Sequence, residues 1–146
     1  MKILSKNSQQ LAGLIKIIVI PVYNIKSIVN NSVQVNNTDQ VFLIQCAIDS
    51  INHEADMHDE DNGTYYDHQV TAFVPGEHES NSEFDDLARH YVVLLLQTDN
   101  GSWIRLGDKS YPLKFLPKYS TQKPGYDLLF TGQLLYKSQP NVVPAY

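Results

Sequence analysis

Cysteine is almost absent from this chain of 146 residues, and the single one is Cys46. One cysteine cannot build an internal disulfide framework or a zinc site made of cysteines. Cys46 lies in the apolar run 41–48, where a free thiol behaves as a small buried hydrophobe. We therefore expect no disulfide and no nucleophilic role for Cys46.

Long apolar runs and basic patches are also missing. No segment approaches the roughly 20 apolar residues of a membrane-spanning helix. The N-terminus, MKILSKNSQQ, has too short an apolar core for a signal peptide. The formal net charge of -5 argues against an outer surface that holds DNA or RNA, since such surfaces are usually basic. These features predict a protein that folds in a cytoplasm and contacts no membrane.

The motifs of common enzyme and metal classes are missing as well. The chain contains no Gly-x-Ser-x-Gly, no Gly-x-Gly-x-x-Gly, no phosphate-binding lysine loop and no His-Glu-x-x-His. An EF-hand register with Gly63 at position six puts His58 at position one and Gln69 at position twelve, where acidic ligands are needed. We therefore expect a protein that is not an enzyme and has no catalytic residue, cofactor or metal.

The stretch 80–115 carries the strongest local signals for structure. Ser80 with Glu83 fits a capping box, and Phe84 with Leu87 falls on one face of a helix predicted over about residues 81–90. This helix precedes a predicted hairpin.

The predicted hairpin begins with Tyr91–Leu96, a continuous apolar run that suits a strand buried on both faces. Asn100-Gly101 predicts a two-residue turn with positive φ at both residues, after which Trp103–Leu106 returns as the partner strand. Either Val93 and Leu95 or Leu94 and Leu96 should pack against the helix.

Short strands with turn residues between them are predicted along the rest of the chain, at 14–20, 32–35, 41–48, 64–74, 111–116 and 126–136. Residues 117–125 read as a surface loop, and Gly132 as a possible bulge. The whole chain, 1–146, is interpreted as one mainly β domain, a β-sandwich or small barrel with one short flanking helix. Residues 1–12 are expected to form a loosely held arm and 137–146 an extended tail.

Residues 48–74 read as a hairpin with an acidic tip, and the chain has nine tyrosines, several of them near predicted loops or strand ends. Tyrosine is enriched at protein interfaces because it combines a large ring with a polar group. The candidate assembly contacts are Asp56, Asp59, Glu60, Asp61, Tyr65, Tyr66, Tyr136 and Tyr146. Ordinary sheet tyrosines and a solvated tip are the competing interpretations.

The sequence also resembles a family. The segments YVVLLLQTDNGSWIRLG (91–107), YPLKF (111–115) and GYDLLFTG (125–132), preceded by NGTYY (62–66), resemble small β-rich head–tail connector, neck or tail proteins of tailed phages and prophages of Bacteroides-type bacteria, the crAss-like phages among them. The resemblance covers about residues 60–146 and is one of pattern, without a catalytic motif.

The resemblance implies a non-enzymatic virion subunit, assembled in the bacterial cytoplasm, that forms an oligomeric ring in the neck or tail. Its partners would be copies of itself and neighbouring neck, tail or portal proteins, and genome DNA would pass through the ring without specific binding. The alternative hypothesis is a carbohydrate- or ligand-binding β-sandwich that uses Trp103 or exposed tyrosines. A small metal-dependent enzyme that uses residues 53–68 is the least favoured hypothesis.

Overall fold

The computed structural model describes residues 2–5, 16–47, 49–75, 81–98, 100–120 and 124–141. It contains one α-helix, α1 (Asn81–Leu87), and two short 3-10 helices, Val22–Asn24 and Thr38–Gln40, in this part of the chain. The strands are β1 (Lys2–Ser5), β2 (Lys16–Pro21), β3 (Ile25–Val29), β4 (Ser32–Val35), β5 (Phe42–Gln45), β6 (Asn52–Glu60), β7 (Gly63–Pro75), β8 (Tyr91–Gln97), β9 (Trp103–Leu106), β10 (Leu113–Ser120), β11 (Gly125–Leu134) and β12 (Gln139–Asn141).

Ten strands form one large sheet in the order β1-β5-β2-β8-β10-β11-β7-β6, with β9 beside β8 and β12 beside β9. β1 runs parallel to β5, and every other pair in the sheet is antiparallel. Within the described ranges β1 and β6 pair with one neighbour each and not with each other, so the sheet does not close into a barrel. The predicted mainly β class with one short helix is confirmed.

Strands β2 and β8 are buried on both faces of the sheet. Val19 and Leu94 point into a large apolar cluster that also takes side chains from β7, β10, β11 and α1. Their neighbours Ile18 and Leu95 point the opposite way, into a second cluster. Successive side chains alternate between the faces of a strand, so a strand covered on both sides must be apolar throughout.

The β3–β4 hairpin covers the second cluster. Ile25 and Val33 are buried against the central strands there. Asn30 and Asn31 join the two strands with φ of 53° and 60°. Asparagine tolerates this left-handed region better than most residues, so this pair can form a two-residue primed turn.

The predicted helix and the two strands of the central hairpin are confirmed, but the helix is shorter than predicted. α1 ends at Leu87, and a turn over 88–90 replaces the last part of the expected helix. Phe84 packs at ring-centroid distances of 4.9 Å from Tyr126 and 6.2 Å from Phe115. The helix shares its cluster with Leu94 and Leu96, which decides between the two alternatives for β8. The proposed cap residue Ser80 lies outside the described residues.

The turn of the central hairpin differs from the prediction. The Thr98 N–H donates to the Ser102 carbonyl at 2.7 Å, and the Gly101 N–H donates to the Thr98 carbonyl at 2.9 Å. Gly101 has a φ of 87°, whereas Asn100 is not among the residues with positive φ. The two-residue turn expected at Asn100-Gly101 was therefore wrong. Because Thr98 and Ser102 bond to each other, the loop is longer than two residues, and Gly101 adopts the left-handed conformation within it.

Two expectations in the C-terminal third were also wrong. β10 continues through Pro117 to Ser120, where a loop was expected, because β11 pairs with it over that whole length. β8 pairs with β10 at Leu113 and Lys114, so the missing N–H of Pro117 costs no bond to β8. Gly132 makes no bulge, since β11 pairs with β7 in regular register through it. A Cβ there would lie 2.6 Å from Leu113 Cδ2, so close packing requires the glycine.

The two termini are partly described. β1 lies within the expected N-terminal arm and pairs with β5, and β12 lies within the expected tail and pairs with β9. Both segments are therefore anchored to the sheet where they are described, because each contributes a strand to it.

We predict that Gly101→Val destabilises the protein by about 1–2 kcal/mol. Nothing lies within 4 Å of a Cβ at this position, so the cost comes from backbone strain and not from a clash. Gly101→Asn is the matched control and should cost less, because asparagine adopts positive φ more readily. Equal melting temperatures for wild type and the valine variant would show that this backbone conformation is not required.

Candidate functional site

The β6–β7 hairpin extends beyond the rest of the sheet. β7 pairs with β11 as far as Tyr66, opposite Leu134, whereas β6 and β7 remain paired to Glu60 and Gly63. The last three residues of β7 at this end, 63–65, therefore have β6 as their one neighbour among the described strands. At about 3.3 Å per residue the tip protrudes by roughly 10 Å. The predicted hairpin over 48–74 is confirmed in position, with its turn at Asp61-Asn62.

The four acidic candidates lie together on this hairpin, and all are exposed. Thr64 Oγ1 donates to Asp59 Oδ1 at 3.1 Å, and the Tyr65 hydroxyl donates to Glu60 Oε1 at 3.1 Å. Asp56 lies opposite Asp67 on the neighbouring strand, and Asp61 lies in the turn. The tip is thus a negative surface in which two carboxylates are held in place by hydroxyl groups.

Tyr65 is half-buried on the hairpin and stacks on His58, with ring centroids 5.0 Å apart and an angle of 13° between the planes. Desolvation, followed by the hydrogen bond to Glu60, raises the pKa of the Tyr65 hydroxyl. The hydroxyl therefore stays protonated and remains a donor. His58 Nε2 lies 2.9 Å from Asp67 Oδ2, and this contact holds the His58 ring in its position against Tyr65.

The other tyrosine candidates have different environments. Tyr66 is half-buried opposite Leu134, on the inner face of β7. Tyr136 is partly buried against the large cluster. Burial raises the pKa of its hydroxyl; Asp108 acts in the same direction and the Arg105 guanidinium opposes it. Tyr146 lies outside the described residues. Six of the eight candidates therefore lie on the β6–β7 hairpin. The Tyr136 backbone contacts the same hairpin at His68.

Two histidines join the base of the hairpin to the segment after β11, a connection that the sequence analysis missed. His68 is 1% exposed, and its Nε2 lies 2.8 Å from the Tyr136 carbonyl oxygen. A carbonyl accepts only, so His68 Nε2 carries a proton and donates to it. His53 Nε2 lies 2.8 Å from His68 Nδ1, and the two ring nitrogens share a hydrogen bond. The two imidazoles therefore connect β6 to the Tyr136 backbone through His68.

Charge along the chain is strongly segregated, and this pattern is visible in the sequence. No lysine or arginine occurs between Lys26 and Arg89, whereas that stretch holds thirteen of the 16 acidic residues. It includes the whole β6–β7 hairpin and α1. The hairpin therefore has no lysine or arginine of its own.

A groove on another side of the molecule, of about 230 Å³, combines aromatic and acidic side chains. Tyr23 is 54% exposed at its rim; its hydroxyl donates to Gln40 Oε1 at 2.8 Å and its ring meets His90 edge-on at 4.8 Å. The remaining lining residues are Asp39, Phe42, Glu83, Asp86 and Leu87. Trp103, the residue proposed for sugar stacking, is instead partly buried against the second cluster.

Three further observations bear on chemistry. In the part of the chain that the structure describes, no group of three or more His, Cys, Asp or Glu side chains is arranged to hold a metal ion. Burial raises the pKa of the Cys46 thiol to about 12, so this side chain stays protonated. Among the described residues, no helix is long and apolar enough to cross a membrane.

No family model matches the chain, and no curated protein matches it.

We predict that stability falls as the pH drops below about 6.5 and that His53 contributes to the fall. Burial, followed by His68, lowers the pKa of His53 in the folded protein. The unfolded chain, with a histidine pKa near 6.5, then binds more protons below that pH, so protonation favours unfolding.

The measurement is the difference in melting temperature between pH 7.5 and pH 5.5. His53→Gln, whose amide can still form a hydrogen bond with His68, should reduce that difference. His58→Gln is the matched control; it removes a half-buried histidine on the opposite face of β6, away from His68, so it should not reduce the difference. An unchanged difference in the His53→Gln protein would contradict the assignment.

Proposed function

We propose that this chain is a non-enzymatic structural subunit of a tailed-phage virion, in the neck or tail, and that it contacts a neighbouring protein through the β6–β7 tip. The observation that carries the proposal is the protruding hairpin, whose acids Asp56, Asp59, Glu60 and Asp61 are all exposed. Sequence resemblance supplies the virion context, and the sheet supplies a rigid base for the tip.

The geometry favours a contact with a basic surface. The tip extends roughly 10 Å past β11, so it can reach a neighbouring subunit that the body of the sheet does not touch. Thr64 and Tyr65 hold two of its carboxylates, which reduces the entropy lost on binding. Complementary charge speeds association and selects the partner, and its effect is screened over about 8 Å at physiological ionic strength.

A ring of copies would repeat the tip around its axis. If the tips faced the lumen, the negative lining would repel DNA phosphates and the genome would pass without specific binding, since phosphate affinity comes from lysine and arginine. We favour the outward orientation, because a protruding hairpin is suited to reach an adjacent ring of virion proteins.

A carbohydrate- or ligand-binding module is the second candidate, and the groove at Tyr23 is the observation that favours it. An exposed ring beside several carboxylates suits stacking on a sugar and hydrogen bonds to its hydroxyls. If the groove binds saccharides, Tyr23→Ala would abolish that binding and leave virion assembly unaffected. A virion subunit that lacks this activity would bind no saccharide, with or without the substitution.

We predict that neutralising the tip, with Asp56→Asn, Asp59→Asn, Glu60→Gln and Asp61→Asn combined, reduces incorporation of the protein into particles. The reason is the loss of four negative charges from a contact that depends on them. Incorporation is measured by quantitative mass spectrometry of purified virions, and genome ejection is followed in the same particles.

The matched control neutralises four exposed acids elsewhere, Asp39, Asp49, Asp85 and Asp86, each changed to Asn. It makes the same change in net charge away from the tip and should leave incorporation normal. Full incorporation and normal ejection with the neutralised tip would overturn both orientations and leave the hairpin as a solvated loop.

A further inference from the structure

The sheet half formed by β10, β11, β7 and β6 has a solvent-facing side opposite the large cluster. Directly paired residues on antiparallel strands lie on the same face, so the register gives two rows of side chains that cross all four strands. We call these eight residues the outer face: Lys114, Thr131, Gln69 and Glu54 in one row, and Leu116, Leu129, Thr71 and Asn52 in the next.

The chemistry of the outer face changes from one edge to the other. Lys114 is exposed on β10 and Glu54 is exposed on β6, at opposite ends of the same row. A shallow depression on this face is lined by Leu116 on β10, Leu129 on β11 and Thr71 on β7, and Leu116 is 41% exposed. The face therefore carries a cation and an exposed leucine on β10, and an anion on β6.

We propose that the outer face packs against the outer face of a second copy of this chain, about a two-fold axis that runs parallel to the strands. This rotation places β10 of each copy over β6 of the other, and β11 over β7. Each Lys114 then meets a Glu54 of the facing copy, each Leu129 meets a Thr71, and each Leu116 meets an Asn52. Such a contact is self-complementary, as a two-fold interface must be.

The charges favour this axis over a two-fold axis that lies between the same two faces but runs perpendicular to the strands. A two-fold axis perpendicular to the strands would place β10 over β10, and so bring Lys114 of one copy towards Lys118 of the other. It would also bring the acidic β6 strands together. Like charges in an interface disfavour that arrangement.

Lys114 and Glu54 do not neutralise each other within one chain. Lys114 and Glu54 are three strand spacings apart, roughly 14 Å, so they cannot form an ion pair with each other. Within the chain, Asn52 Nδ2 donates to Glu54 Oε1 at 3.3 Å, which holds the carboxylate on the face without neutralising it.

The size of the face sets the expected strength. With four strands and two rows, the contact lies at the small end of specific interfaces, below the roughly 1,200 Å² of a standard one. The dimer should therefore form at high protein concentration and weaken as salt screens the ion pairs. It does not depend on the proposed virion role, since a dimer of this face can form in either candidate function.

The test is sedimentation of the full chain at low salt over a range of concentrations, followed by charge reversal. The wild type should rise from the 16.6 kDa monomer towards twice that mass. Lys114→Glu and Glu54→Lys should each lose the dimer, because each places like charges together. Lys109→Glu, an exposed lysine away from the face, is the control of equal charge and should dimerise like the wild type.

An equimolar mixture of the two single variants makes the test specific to this geometry. In the mixed dimer one contact is the native pair and the other is the same pair reversed, so the dimer should return. A folding defect in either variant could not give this recovery. A wild type that stays monomeric at all concentrations, single variants that associate like the wild type, or a mixture without recovery would each overturn the proposal.

Discussion

The rest of the structure depends on covering both faces of two adjacent strands, β2 and β8. Ile18 and Leu95 on one face and Val19 and Leu94 on the other are all buried. One side is covered by the second half of the sheet with α1, and the other by the β3–β4 hairpin. Each buried side chain of this size contributes about 1.5–3 kcal/mol relative to exposure, so neither cover can be removed without a large loss.

This arrangement separates stability from the candidate sites. The apolar side chains are concentrated around the central strands, whereas the β6–β7 hairpin is at the far end of the strand order and carries exposed acids at its tip. Changes at the tip therefore alter charge without opening the core. The His53–His68 pair lies between the apolar core and the hairpin tip, where it joins the inner face of the hairpin to the Tyr136 backbone.

The sequence predicted the elements whose burial makes the residues apolar without interruption. The run Tyr91–Leu96 was found because a strand buried on both faces is apolar at every position. The strand through Pro117 was missed because its composition resembles a loop, and pairing with β11 overrides that local preference. The histidine pair was missed because His53 and His68 are far apart along the chain; pairing outwards from a turn at Asp61-Asn62 would have brought them together. The sequence analysis found the acidic tip but missed that no lysine or arginine lies between Lys26 and Arg89, although this segregation is readable in the sequence.

Hydrogen exchange followed by mass spectrometry measures how far the central strands depend on their two covers, since slow exchange reports resistance to local opening. We predict that peptides covering 16–21 and 91–97 exchange slowest, that the tip residues 58–65 exchange fastest within the sheet, and that shortening the β3–β4 hairpin speeds exchange in the central strands. Equal protection of the tip and of β2 and β8, or central strands unaffected by loss of that hairpin, would contradict it.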